Sequence, residues 1–263
     1  MTEYGLIGRT LGHSFSKDYF NGFFKKEGID AAYNNYELET AGQLTELINT
    51  NRQLAGLNVT IPYKQQVMHL LTDIDAEASE VGAVNVIKIE RDKDGKPMRT
   101  TGYNTDLTGF WQAISPLLKP CHTKALVLGT GGAATAVNHV LTKNNIKTVL
   151  VSRKEHDGSN YTTYEKLTRD IMQQHTVIVN CTPCGTMPDT DTCPPINYGW
   201  ISDRHLCFDL VYNPAETLFM KKAAGMGATV SNGYTMLIKQ AEESWRIWNT
   251  EKKNKEKQRI SNK

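Results

Sequence analysis

No stretch of this chain is apolar for long enough to span a bilayer, which takes about 20 residues. The opening residues, MTEYGLIG, lack the basic segment before an apolar run that marks a secretory leader, so none is expected. Cysteine is scarce. The five residues are scattered and odd in number, which argues against a disulfide framework and for a reducing cytoplasm. No repeat of fixed period is present, and the composition is that of a globular protein. A large charge excess is also missing, since the net charge is +2. That balance hides a basic tail. Residues 251–263 hold Lys252, Lys253, Lys255, Lys257, Arg259 and Lys263 against Glu251 and Glu256, so the tail is +4 and the remainder −2. A nucleic-acid role would rest on the tail alone, and the tail reads as a solvated C-terminus. Neither nucleic acid nor a membrane is expected as a partner.

What is present is alternation. Strand patterns at 3–8, 31–38, 54–60 and 83–90 are separated by helical patterns at 16–27, 41–50 and 74–80, with a further helix opening at Pro62. Residues 91–97 read as a turn. A second series starts near 106, with a helix to 118, then strands at 124–129, 148–152, 176–180, 206–212 and 228–230. Helices there are expected through 143 and at 164–172, 216–227 and from 234 onward. Such alternation predicts an α/β protein with largely parallel sheets. The boundary between the two sets is expected near 102–106.

Lys64 is the first candidate for chemistry. Asn58-Val59-Thr60-Ile61-Pro62-Tyr63-Lys64 ends a strand, and Pro62 suits the first turn of a helix. A cation in that turn faces the positive end of the helix dipole. A lysine set against its electrostatic preference is a candidate acid/base, and a surface lysine at a helix start is the plain alternative.

Gly129-Thr130-Gly131-Gly132-Ala133-Ala134 fits G-x-G-x-x-A between a strand and a helix. The first glycine permits the turn, the second lets backbone approach a pyrophosphate, and Ala134 allows close packing of helix on strand. The helix start would hold the pyrophosphate on its free N–H groups. The next strand ends in Ser152-Arg153-Lys154, with no acid before Glu155. A carboxylate there would bind the ribose hydroxyls of NAD, whereas two cations suit the extra 2′-phosphate of NADP.

Polar residues cluster at expected strand ends and turns of the first set: Ser14 and Ser16, Asn85, and Asn104 to Asp106. Taken singly they read as caps and an edge amide, with Asp106 able to N-cap its helix. Beside a dinucleotide fold they suit a small polyhydroxylated acid. Cys181-x-x-Cys184 suggests a redox pair or zinc. Neither has its usual context, and the preferred reading is a loop lining the cofactor.

These motifs, in this order, resemble the shikimate dehydrogenase family, over nearly the whole chain to about Trp248. The matches are Ser14-Phe15-Ser16, the segment 58–64, Gly82-Ala83-Val84-Asn85, 102–109, the turn 129–134, Asp209-Leu210-Val211-Tyr212 with Thr217-Leu218, and Gly233-x-x-Met236-Leu237-x-x-Gln240-Ala241. The chain departs from the family pattern at Lys17, Phe20 and Val86. It departs also at Ser152-Arg153-Lys154, where the family has Asn-Arg-Thr, and in the loop 180–187.

The resemblance implies two domains. A substrate domain would span 1–104 and 236–263, its last helix returning to it, and a Rossmann NADP-binding domain would span 105–235. It implies Lys64 and Asp106 as the catalytic pair. Ser14, Ser16, Thr60, Asn85, Tyr212 and Gln240 would bind substrate. NADP(H) would meet Gly129, Thr130, Gly131, Gly132, Ala133, Ser152, Arg153, Lys154, Leu210 and Gly233, and no metal is implied. The implied reaction is reversible reduction of 3-dehydroshikimate to shikimate in chorismate and aromatic amino acid biosynthesis, by a cytoplasmic monomer or homodimer. The rivals are a quinate/shikimate dehydrogenase using NAD, which would want an acid in place of Ser152 or Arg153, and a non-catalytic NADP-binding sensor, which could dispense with Lys64 and Asp106. A tetrahydrofolate-linked dehydrogenase has no need of Ser14-x-Ser16.

Overall fold

The computed structural model describes residues 1–12 and 14–261, without the side chains of 251–261. The reading of the basic tail therefore falls on side chains outside that description. The chain divides into two compact units, 1–105 with 240–263, and 106–239.

The first unit is built on a six-stranded sheet. Its strands are β1 (Thr2–Gly8), β2 (Ala31–Glu37), β3 (Leu54–Val59), β4 (Asp73–Ile74), β5 (Val86–Arg91) and β6 (Pro97–Tyr103), in the order β2-β1-β3-β5-β6-β4. β1 pairs in parallel with β2 and β3, and β4 with β6, while β5 runs antiparallel to both its neighbours. The helices are α1 (Phe15–Glu27), α2 (Gln43–Thr50) and α3 (Ala76–Val81). Phe20 and Phe24 bury one stripe of α1. They join Tyr4, Tyr33, Val86, Ala241, Ile247 and Trp248 in one aromatic core, so the last helix, α8 (Tyr234–Ser261), packs in this unit from Gln240 on. The Trp248 indole N–H donates to the Ile87 carbonyl at 3.1 Å. Its ring lies where a side chain at Gly56 would stand, so only glycine fits there.

The second unit is a wholly parallel sheet. It comprises β7 (Lys124–Leu128), β8 (Lys147–Ser152), β9 (Tyr161–Thr163), β10 (Val177–Asn180), β11 (Leu206–Asp209) and β12 (Thr229–Ser231), in the order β12-β11-β10-β7-β8-β9. Strands covered on both faces read as continuous apolar runs, as KALVL, VIVN and LCFD do. The helices are α4 (Thr105–Ile114), α5 (Gly132–Lys143), α6 (Arg169–Gln174) and α7 (Leu218–Gly225). The order of strand addition reverses at β7: the path steps to β8 and β9 on one side and returns to β10 on the other. Ligands of such sheets bind outside the carboxyl ends of the strands at this reversal.

Four local expectations are corrected. No helix opens at Pro62; residues 61–67 form turns, followed by a single 3-10 turn at Met68–Leu70. Burial decides the matter: Tyr63 and Val67 enter the core, and the Tyr63 hydroxyl donates to the Leu38 carbonyl. The dipole argument for Lys64 falls with that helix. The turn expected at 91–97 narrows to 92–96, since Arg91 ends β5 and Pro97 starts β6, which pairs with it. The helix expected at 164–172 is a 3-10 turn at Tyr164–Lys166, then α6, which Thr168 caps. Asp106 lies inside the first turn of α4, which begins at Thr105, and does not cap it.

Candidate active site

The cleft of the second unit lies at the reversal. Gly129 has φ +113°, a region that favours glycine. A Cβ on it would also meet the Cys181 carbonyl oxygen at 3.3 Å. Its N–H donates to the Val151 carbonyl (2.8 Å), and the Cys181 N–H to the Leu128 carbonyl (2.9 Å). The turn is thus tied to both neighbouring strand ends. Gly131 occupies the cap position of α5, and open space surrounds Gly131 and Gly132 where side chains would stand. A cavity of about 480 Å³ opens here, lined by Gly129 to Gly131, Ser152 to Lys154, His156, Tyr164 and the loop 181–184. Bare helix-start N–H groups on one side and two exposed cations on the other form a cradle for phosphates.

The floor of that loop is organised by Asp209. Its carboxylate accepts from the Asn180 amide (2.9 Å), the Val211 N–H (3.0 Å) and the Thr217 hydroxyl (2.6 Å). It has no solvent exposure, and burial pushes its pKa up to about 6 against those three donors. Burial first, and then the Asp209 charge, raises the Cys181 thiol, which makes it a poor nucleophile. All five cysteines are free. Among the described residues no cluster of three or more His, Cys, Asp or Glu is placed to hold a metal. Beyond β11, Leu210 and Gly233 meet backbone to backbone, because a Cβ at Gly233 would overlap the Leu210 carbonyl oxygen. Tyr212, in the same loop, is exposed.

The first unit gathers its candidates at one edge of its sheet. The register aligns Leu6, Asn58, Val86 and Tyr103 in one row. Ser14 and Ser16 follow β1 in the chain, Thr60 and Lys64 follow β3, Asn85 precedes β5, and Asn104 and Thr105 follow β6. All therefore lie beyond one end of the sheet. Ser14 caps α1 by accepting from the Lys17 N–H. The Lys64 carbonyl accepts from the Val84 N–H at 2.8 Å. The Asn85 side-chain oxygen accepts the Thr105 N–H at 2.7 Å, fixing the residue before Asp106. A chain of polar groups runs behind this edge. The Tyr33 hydroxyl donates to Asn58 Oδ1 (2.8 Å). The Asn58 amide reaches Ser244 Oγ (3.0 Å), whose hydroxyl donates to the Gln240 carbonyl (2.8 Å).

Residues 6–87 match the model of the shikimate dehydrogenase substrate binding domain. A shikimate dehydrogenase (NADP(+)) of Clostridium beijerinckii is 38% identical over 259 residues, 94% of this chain and 92% of its own. The chain belongs to the shikimate dehydrogenase family. A Methanococcus maripaludis relative of the same name is 36% identical over 94% of this chain and 91% of its own. The crystal structure of a chorismate mutase/shikimate 5-dehydrogenase fusion protein from Clostridium acetobutylicum superposes with a TM-score of 0.82 at 36% identity, over 95% of this chain and 91% of that one.

Family motifs pointed to the single residues but not to their supports. Tyr33, Ser244, His156 and Tyr164 carry no motif of their own. Tyr33 and Ser244 are fully buried polar groups in stretches that read as ordinary strand and helix. His156 sits in an irregular segment after β8, and Tyr164 opens the 3-10 turn after β9.

Proposed function

We propose that the chain reduces 3-dehydroshikimate to shikimate with NADPH, reversibly. The second unit would hold the cofactor and the first the substrate. The observation that carries this reading is the cleft at the β7 reversal, where glycine backbone faces Arg153 and Lys154 and no carboxylate is among the lining residues. NAD would want an acid at the end of β8, which argues against the NAD-linked quinate alternative.

The residues fit the group. Gly129 to Ala133 would take the pyrophosphate, and Ser152, Arg153 and Lys154 the 2′-phosphate. The backbones of Leu210 and Gly233 would lie along the nicotinamide. When bound, NADPH supplies the hydride. The protein's part is the proton and the charge. The Lys64 ammonium donates to the ring oxygen as it gains negative charge, and stabilises that charge before transfer. Asp106, which follows the Thr105 that Asn85 holds, would orient Lys64 and accept from a substrate hydroxyl. Ser14, Ser16 and Thr60 would bind the carboxylate. Asn85, Tyr212 and Gln240 would bind the remaining polar groups.

We place this activity in the cytoplasm, in a monomer or homodimer, as part of chorismate and aromatic amino acid biosynthesis. Five free cysteines accord with a reducing compartment. No described helix is long and apolar enough to cross a membrane. Mixing the purified chain with 3-dehydroshikimate and NADPH tests the reading: NADPH absorbance should fall and shikimate should appear. No turnover by a folded, NADPH-binding sample would favour a sensor.

A further inference from the structure

The cleft holds a titratable group that the family motifs do not name. His156 lines the same wall as Ser152, Arg153 and Lys154. Its Nε2 lies 3.0 Å from Ser152 Oγ, and its ring stacks on Tyr161 with centroids 5.0 Å apart. The same Ser152 oxygen accepts the Lys154 N–H at 3.1 Å. Ser152 therefore has one proton to give and two acceptor sites. Beside a neutral imidazole whose Nε2 accepts, the Ser152 hydroxyl is spent on His156. Once the imidazole is protonated both its nitrogens donate, so Nε2–H points at Ser152 Oγ and the serine proton turns outward to a ligand. Protonation thus adds a cation beside Arg153 and Lys154, and frees a hydroxyl donor.

We infer that His156 is a specificity-determining residue for the cofactor, a protonatable fourth member of the grip on the 2′-phosphate. This rests on the reading of the cleft as the NADP site. The other titratable groups around it leave the cation the dominant sign. On its own loop stand Arg153, Lys154, Glu155 and Asp157, and Glu155 is neutralised by an ion pair with Lys166. Tyr161 comes from β9, and Tyr164 from the turn after it, with its hydroxyl pushed up to about 12 by burial. Cys181 and Cys184 face the cleft from the loop after β10. A dianionic phosphate placed here draws a proton onto the imidazole near neutral pH, and NAD, which lacks that phosphate, does not.

Calorimetric titration of NADP⁺ and NAD⁺ into the wild-type chain and into H156Q tests this, between about pH 6 and about pH 8, in buffers of different ionisation heat. Glutamine keeps a donor for Ser152 and cannot titrate. The wild type should take up more protons than H156Q on binding NADP⁺, and the two should not differ with NAD⁺. Its advantage over H156Q in NADP⁺ affinity should grow roughly three- to tenfold from about pH 8 to about pH 6, the range for an exposed charge-assisted contact. The phosphate's own titration, with a pKa of about 6, is common to both proteins and cancels. Equal proton uptake by H156Q, or a pH-independent loss shared by NADP⁺ and NAD⁺, would overturn the inference and leave His156 a packing residue. A wild type with no preference for NADP⁺ at any pH would overturn the reading of the cleft and this inference with it.

Discussion

Asp209 gives the most quantitative test of how the cofactor loops are held. Its carboxylate is fully buried among three donors, and burial lifts its pKa from 3.8 to about 6. A carboxyl raised in the folded state contributes stability that is complete below the unfolded pKa and is lost as pH rises through the folded value. The window therefore runs from about pH 4 to just above pH 6. A shift of about two units corresponds to about 3 kcal/mol, at 1.36 kcal/mol per unit. That is a large part of the 5–15 kcal/mol that holds a typical domain together. In Asp209→Asn the amide oxygen can keep the Asn180 and Val211 bonds, and the amide N–H meets the Thr217 oxygen, which has a lone pair to accept it. The variant has no ionisation to oppose. Wild type should thus lose about 3 kcal/mol relative to Asp209→Asn between about pH 4 and about pH 7. Hydrogen exchange of the β10 and β11 amides reads this within the second unit alone. A wild-type-minus-variant difference that stays flat across that range would refute the reasoning.

Lys64→Ala should lower kcat by about 10²–10⁴ with KM for shikimate changed only a few-fold; initial rates at saturating cofactor measure it, and near-normal turnover would remove Lys64 from the chemistry. Ser152→Asp places an acid at the end of β8, where it repels a 2′-phosphate and suits ribose hydroxyls. The ratio of kcat/KM for NADP⁺ to that for NAD⁺ should fall at least about tenfold, the effect of about 1.4 kcal/mol. In the second unit, burial holds the pKa of His122 and His175 below the ordinary imidazole value, and His122 Nδ1 accepts the Lys119 N–H at 2.9 Å. With folded pKa values depressed, the unfolded chain binds protons first. Stability from these groups is complete above about pH 6.5 and declines below it. Urea midpoints of Asp209→Asn, which lacks the opposing carboxyl, should show that decline, and a midpoint constant from about pH 7.5 to about pH 5.5 would contradict it.

The second unit was legible because parallel strands buried on both faces leave unbroken apolar runs, and because Gly129 to Gly132 stand between such a strand and a helix. The first unit was less so. β6, PMRTTGY, exposes Met98 and Arg99 side by side and buries only Thr100 and Gly102, so its apolar pattern is weak, and its proline suggests a turn. Around Pro62, local preference favoured a helix, but burying Tyr63 and Val67 outweighed it. At the candidate site, residues in short linear motifs could be named from the chain alone. The support network could not, since Asn58 and Ser244 are 186 residues apart and no local spacing links them. His156 escaped for a related reason: its significance lies in facing Ser152 across an irregular loop.

The central claim joins a polyhydroxylated acid in the first unit to NADP in the second. Initial rates with shikimate and quinate, each with NADP⁺ and NAD⁺, test it most directly. The account predicts the highest kcat/KM for shikimate with NADP⁺ and a clear loss on exchanging either partner. A chain that oxidises quinate with NAD⁺ at least as efficiently would contradict it.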